Sequence, residues 1–131
     1  MIRPEAQYSR TYRNRNPLKY RATNLVSGSR HRAKRLGIDH DLTTDWVLTR
    51  LRAGVCEACG LPFEFPECDE GGTGGPKNNW IPSLDRIDPC GGYTRDNVRV
   101  VVWCYNGAKA SGTDADVLRL ARALISRAES A

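Results

Sequence analysis

The stretch from Pro82 to Lys109 constrains this chain more than any other. Ser83–Ile87 reads as a short strand, Asp88–Asn97 as a glycine-bearing connection, and Val98–Trp103 as a second, strongly β-branched strand. A short helix is expected to begin near Cys104, so the unit runs strand, loop, strand, helix. It puts Asp85 in a strand, Asn106 early in the helix and Lys109 one turn further on. If the hairpin packs on the helix, a carboxylate and a carboxamide oxygen converge. Mg²⁺ suits such a pair because it keeps its other positions for water and phosphate oxygens. A cation there would polarise a scissile phosphate. The same residues also allow a plainer arrangement, in which Asp85 pairs with Arg86 or Arg99 and Asn106 caps a helix.

The segments around this unit are mostly helical. Asn16-Pro17 is a helix start and Gly37 a stop, with Leu18, Ala22, Leu25 and Val26 on one face. Ser27, Gly28 and Ser29 weaken the middle of that helix and predict a break there. A second helix is capped by Thr43 or Thr44, carries Trp46, Val47 and Leu51, and ends at Gly54. Residues 55–65 suggest a turn flanked by short strands, and residues 66–82 a long exposed loop. Thr113 caps a last helix, in which Val117, Leu118, Leu120, Ala121, Leu124 and Ile125 recur at helical spacing and predict a face buried in the core. The fold class expected is α+β. Residues 1–15 form a basic flexible arm, and residues 16–131 one domain with its central unit at about 82–112.

Charge is unevenly spread. The 131 residues carry a formal net charge of +5, yet residues 1–36 hold ten basic side chains against Glu5 alone. Lysine and arginine at that density release counterions when they meet phosphates. Arg10, Arg13, Arg15, Lys19, Arg21, Arg30, Arg32, Lys34 and Arg35 are therefore the candidate nucleic-acid contacts. A solvated arm that serves only solubility is the plainer alternative. No apolar run reaches the roughly 18 residues that a membrane span needs, and no apolar segment follows the first charges. A cytoplasmic protein is expected.

Five cysteines, at 56, 59, 68, 90 and 104, are an odd set that fits a reducing compartment. Cys56-Glu57-Ala58-Cys59-Gly60 has the spacing of a tetrahedral zinc turn. Cys104 is a candidate third ligand and Cys90 or Cys68 a fourth. The alternative is a pair of buried free thiols.

The string Ser83-Leu84-Asp85-Arg86-Ile87-Asp88, followed by Gly92-Tyr93-Thr94-Arg95-Asp96-Asn97-Val98-Arg99-Val100-Val101 and then Asn106 and Lys109, resembles the HNH (ββα-metal) endonuclease motif. It is similar in particular to small phage and prophage HNH-like proteins. Upstream, Asp41-Leu42-Thr43, Trp46 and Cys56 to Phe63 resemble the same group, so that the likeness spans roughly residues 30–127. The resemblance implies a ββα-metal finger with flanking helices and a CxxC knuckle. It also implies Mg²⁺- or Mn²⁺-dependent hydrolysis of DNA phosphodiesters with low sequence specificity. On its terms Asp85 and Asn106 hold the metal, Asn97 braces the loop, and Lys109 meets phosphate. The family's general base is usually a histidine directly after the first aspartate, where this chain has Arg86. A guanidinium cannot accept a proton near neutral pH, but it can clamp phosphate. Asp88, two residues along the strand, is the candidate base, and His31 and His40 are weaker ones. The other functional readings are an inactive HNH scaffold that binds DNA, and a zinc-knuckle module that binds protein through residues 64–70. A monomer or weak dimer is expected.

Overall fold

The computed structural model describes residues 15–65 and 78–131. Arg10, Arg13 and the rest of residues 1–14, together with Cys68 and most of the acidic stretch at 64–70, lie outside the described residues.

The described chain is mixed α+β, with four helices and a two-stranded antiparallel sheet. Helix α1 spans Pro17–Leu36, with Pro17 in its first turn, and Gly37 closes it in the left-handed conformation at φ 67°. The expected break at Ser27–Ser29 does not occur. Ser29 is fully buried, its hydroxyl donates to the Val26 carbonyl at 2.9 Å, and it continues the buried row of Ala22, Val26 and Ala33. Tertiary burial of that row outweighs the roughly 1 kcal/mol that Gly28 costs in a helix interior. Helix α2 spans Thr44–Ala53. Thr43 accepts from the Trp46 amide, and Gly54 (φ 82°) ends the helix. Val47, Leu48 and Leu51 of α2 are buried, and α2 packs along α1.

Strands β1 (Pro82–Arg86) and β2 (Val98–Val102) pair in a register that sets Asp85 opposite Arg99. β2 buries Val98, Val100, Val101 and Val102, a β-branched run that suits a strand covered on both faces. Residues 55–63 form no strand beyond the isolated bridge of Val55 with Pro62. They dock on β2 through Glu57, whose amide donates to the Val100 carbonyl and whose carboxylate accepts from the Val100 amide at 2.7 Å. Arg50 of α2 ion-pairs with the same carboxylate. Helix α3 (Trp103–Lys109) follows β2 without a loop and packs against both strands.

Helix α4 (Asp114–Glu129) begins with a full capping box between Thr113 and Asp116. Its apolar row does not enter the core, contrary to what the periodicity suggested. No residue of α4 is buried, and Leu124 is 63% exposed. Helical spacing reveals an apolar face but not what covers it. Leu124→Gln is accordingly expected to change unfolding free energy by less than about 0.5 kcal/mol in urea denaturation. A cost above about 2 kcal/mol would show that the face is covered. Among the described residues no helix is long and apolar enough to cross a membrane.

Candidate functional site

The Asp85 carboxylate is 2% exposed, and both of its oxygens accept from cations. Arg99 Nε lies 2.9 Å from Oδ2, as the cross-strand register dictates, and Lys109 Nζ lies 3.0 Å from Oδ1. Lys109 is itself 3% exposed, and its ammonium also donates to the Arg86 carbonyl at 2.9 Å. A charge taken that far out of water is tolerable only when paired and hydrogen-bonded. Of the two partners foreseen for Asp85, Arg99 is the one found. One turn before Lys109, Asn106 Nδ2 donates to Ser83 Oγ (2.8 Å) and to the Leu84 carbonyl (2.9 Å). Asn106 and Lys109 thus stitch α3 to β1.

Arg99 serves two carboxylates. Its terminal nitrogens donate to Asp114 at 3.0 and 2.5 Å and to Tyr105 Oη at 2.8 Å, while the Tyr105 hydroxyl also bonds to Asp114. These Arg99 hydrogen bonds hold the Asp114 carboxyl below its ordinary range, and donating to Asp114 in turn raises Arg99.

Arg86 points from the end of β1 to the Gly91 carbonyl (3.1 Å), and its guanidinium sits 5.1 Å from the centre of the Tyr93 ring. Arg32 of α1 reaches the same ring, with Nε donating to Tyr93 Oη at 3.1 Å. Together with Ser83, Asp85 and Asn106 they line one cleft of about 260 Å³. Asn97 braces the connection above it. Its carboxamide accepts from the Asp88 amide (2.9 Å) and donates to the carbonyls of Asp88 (3.1 Å) and Gly92 (2.9 Å). A side chain at Gly91 would put its Cβ 2.5 Å from Asn97 Nδ2, and one at Gly92 would fall 2.8 Å from the Asp39 carbonyl oxygen, so the brace requires both glycines.

Asp88 does not line this cleft. Strand β1 ends at Arg86, so the alternation that would put Asp88 on the same face does not reach it. Its exposed carboxylate instead accepts from the Cys90 amide at 2.9 Å. Neither histidine lines the cleft either. His31 is exposed on α1. His40 is half-buried and hydrogen-bonds Ser29 Oγ at 2.8 Å, next to Tyr93. Burial lowers the pKa of His40 and Arg30 adds repulsion, against a smaller pull from Asp41. A lowered folded pKa favours the neutral ring in the native state. The stabilisation is present above the unfolded value near 6.5 and is lost as pH falls through the folded one. Stability is therefore expected to drop on acidification from about pH 6.5, and His40→Gln to abolish that part of the dependence in denaturant titrations. An identical pH profile in the variant would overturn the assignment.

Of the described cysteines, Cys56, Cys59 and Cys104 are neighbours, and Cys90 stands apart from them. Cys56 is buried and its Sγ accepts from the Val102 amide at 3.3 Å. Burial opposes its ionisation, but amide donors from Val102, Ala58 and Cys59 prevail and hold it below the ordinary thiol value. Burial raises Cys59 and Cys104, and the neighbouring Cys56 raises both further. Cys90 lies in the β1–β2 connection, at the end of the hairpin away from Val102 and hence from Cys56. Among the described residues no three His, Cys, Asp or Glu side chains are grouped to hold a metal ion.

Of the candidate nucleic-acid contacts in α1, Lys19, Arg30, Arg32, Lys34 and Arg35 are exposed, as is Arg15 ahead of the helix, while Arg21 is half-buried. Only Arg32 among them lines the cleft. Its place there had no local signal, since its partner Tyr93 is 61 positions away. No family model matches this chain, and no curated protein or solved structure matches it.

Proposed function

We propose that this protein is an HNH-like DNA endonuclease of the small phage type, dependent on Mg²⁺ or Mn²⁺ and weakly selective for sequence. The observation that carries the reading is the shared cleft, where a carboxylate, a carboxamide and two arginines meet. The donor set suits a hard cation. The Asn106 carboxamide oxygen has no partner among the described residues, and Asp85 supplies the charge. Asp85 and Asn106 would hold the ion, which must compete with the Lys109 ammonium for Oδ1. When bound, the ion supplies charge neutralisation at the phosphate and acidifies water.

The chain's own residues do the rest. Arg86 clamps the phosphate through its forked donors. Lys109 and Arg99 hold the Asp85 carboxylate in place. Asn97 holds the loop on which Arg86 leans. Exposed basic residues of α1 grip flanking phosphates. Besides Asp85, no carboxylate or imidazole among the described residues lines the cleft, so none of them stands there free of an ion pair to take a proton from water.

A second reading is a DNA-binding protein that does not cut. The two ion pairs that already engage both Asp85 oxygens favour it. Supercoiled plasmid incubated with Mg²⁺ or Mn²⁺ separates the two when wild type is run beside Asn106→Ala, with circular dichroism confirming the fold. Relaxed or linear product that disappears in Asn106→Ala supports the endonuclease. Plasmid that is shifted on a gel but never cut overturns it in favour of binding alone.

A further inference from the structure

We infer that Arg32 and Arg86 form one seat for a single phosphate oxyanion, with Tyr93 as the plate that positions both. The inference deepens the endonuclease reading and rests on it only for the identity of the ligand as DNA. The two arginines come from different elements, α1 and β1, yet both guanidiniums lie against one ring, at 5.8 and 5.1 Å from its centre. Each is tethered by one nitrogen, Arg32 through Nε to Tyr93 Oη and Arg86 through Nη1 to the Gly91 carbonyl. The remaining N–H groups of both are left to meet a ligand. Among the described residues neither arginine has an ion-pair partner. Asp85, the one carboxylate among the described residues that line the cleft, is already ion-paired with Lys109 and Arg99.

Two unpaired guanidiniums in one concavity repel each other, and a tetrahedral oxyanion relieves that repulsion while using their forks. Ser83 adds a hydroxyl to the same wall, with its oxygen already accepting from Asn106 and its proton available to donate. Such a seat reads geometry as well as charge. It therefore distinguishes arginine from lysine, which an exposed flanking contact does not.

The test follows the side-chain Nε–H resonances of Arg32 and Arg86 in the full chain, with chelator present to prevent cleavage. The probes are inorganic phosphate, a short DNA duplex without terminal phosphates, and the same duplex carrying 5′-phosphates. Both resonances are expected to move with a common midpoint. Arg32→Lys is expected to weaken duplex binding about tenfold despite keeping the charge. Tyr93→Phe, which frees Arg32 Nε, is expected to uncouple the two resonances. Tighter binding of the 5′-phosphorylated duplex identifies a terminal phosphate as the ligand, and equal binding an internal phosphodiester. Arg32→Lys that binds duplex like wild type, or resonances that respond with separate midpoints, overturn the seat. If inorganic phosphate moves both resonances while no duplex binds, the seat stands and the DNA reading falls.

Discussion

Asp85→Ala is expected to cost about 3–5 kcal/mol of stability, the penalty for stripping a buried ion-paired group of its partner. The loss comes from what stays behind. Lys109, 3% exposed, would keep an ammonium with only the Arg86 carbonyl as partner, and Arg99 would lose its strand-facing carboxylate. Urea denaturation of the variant measures this directly. Pairing Asp85→Leu with Lys109→Met should recover most of the loss, because an apolar pair of similar volume avoids the desolvation of both charges. A cost under about 1 kcal/mol for the single variant would mean that the two ion pairs do not hold β1 to β2 and α3. The expectation has a practical side: lost cleavage in Asp85→Ala would not separate chemistry from unfolding, which is why Asn106→Ala is the better control.

On the endonuclease reading proposed above, Arg86→His is expected to raise the cleavage rate by about 10²-fold or more, the usual contribution of a positioned general base. The resemblance places a histidine at this position, and the structure puts the side chain of residue 86 on the wall of the cleft. The rate of the variant should acquire a limb near the imidazole pKa of about 6.5, which the wild type lacks. Loss of the guanidinium works the other way and should raise KM. Arg86→Gln isolates that cost, since it removes the clamp and supplies no base. Single-turnover rates between pH 5.5 and 8.5 (an approximate range bracketing the imidazole value) compare the three proteins. A histidine variant no faster than the glutamine variant would show that the missing base is not what limits this chain.

Helix ends were legible in the sequence because caps are local: Thr43, Gly54, Thr113 and Gly37 act within a turn of their own position. Asp85, Arg86, Asn106 and Lys109 were legible as a group for a related reason, since one hairpin and the helix that follows carry them all. The failures have physical causes as well. Ser27–Ser29 looked like a break because propensity does not register that Ser29 faces the core. α4 looked buried because periodicity describes one face and not its partner. Strand alternation suggested that Asp88 shares the face of Arg86, whereas β1 ends at Arg86 and the Asp88 carboxylate turns to the Cys90 amide. Arg32 could not be found at all, since only the docking of α1 on the hairpin connects it with Tyr93.

Tyr93 is tied to the segment after α1 by backbone as well as by side chain. Its amide donates to the Asp39 carbonyl at 2.8 Å, and its carbonyl accepts from the Asp41 amide at 3.1 Å. These contacts join parts of the chain more than fifty positions apart, whereas hairpin and α3 can meet through local encounters. Long-range closure is the slow part of folding. On the ribosome, α1 emerges before the hairpin and must wait for it before the cleft has its second wall. Refolding should therefore report the Asp85 ion pairs early and the Arg32–Tyr93 contact late, so that the cleft is the last part of the molecule to mature.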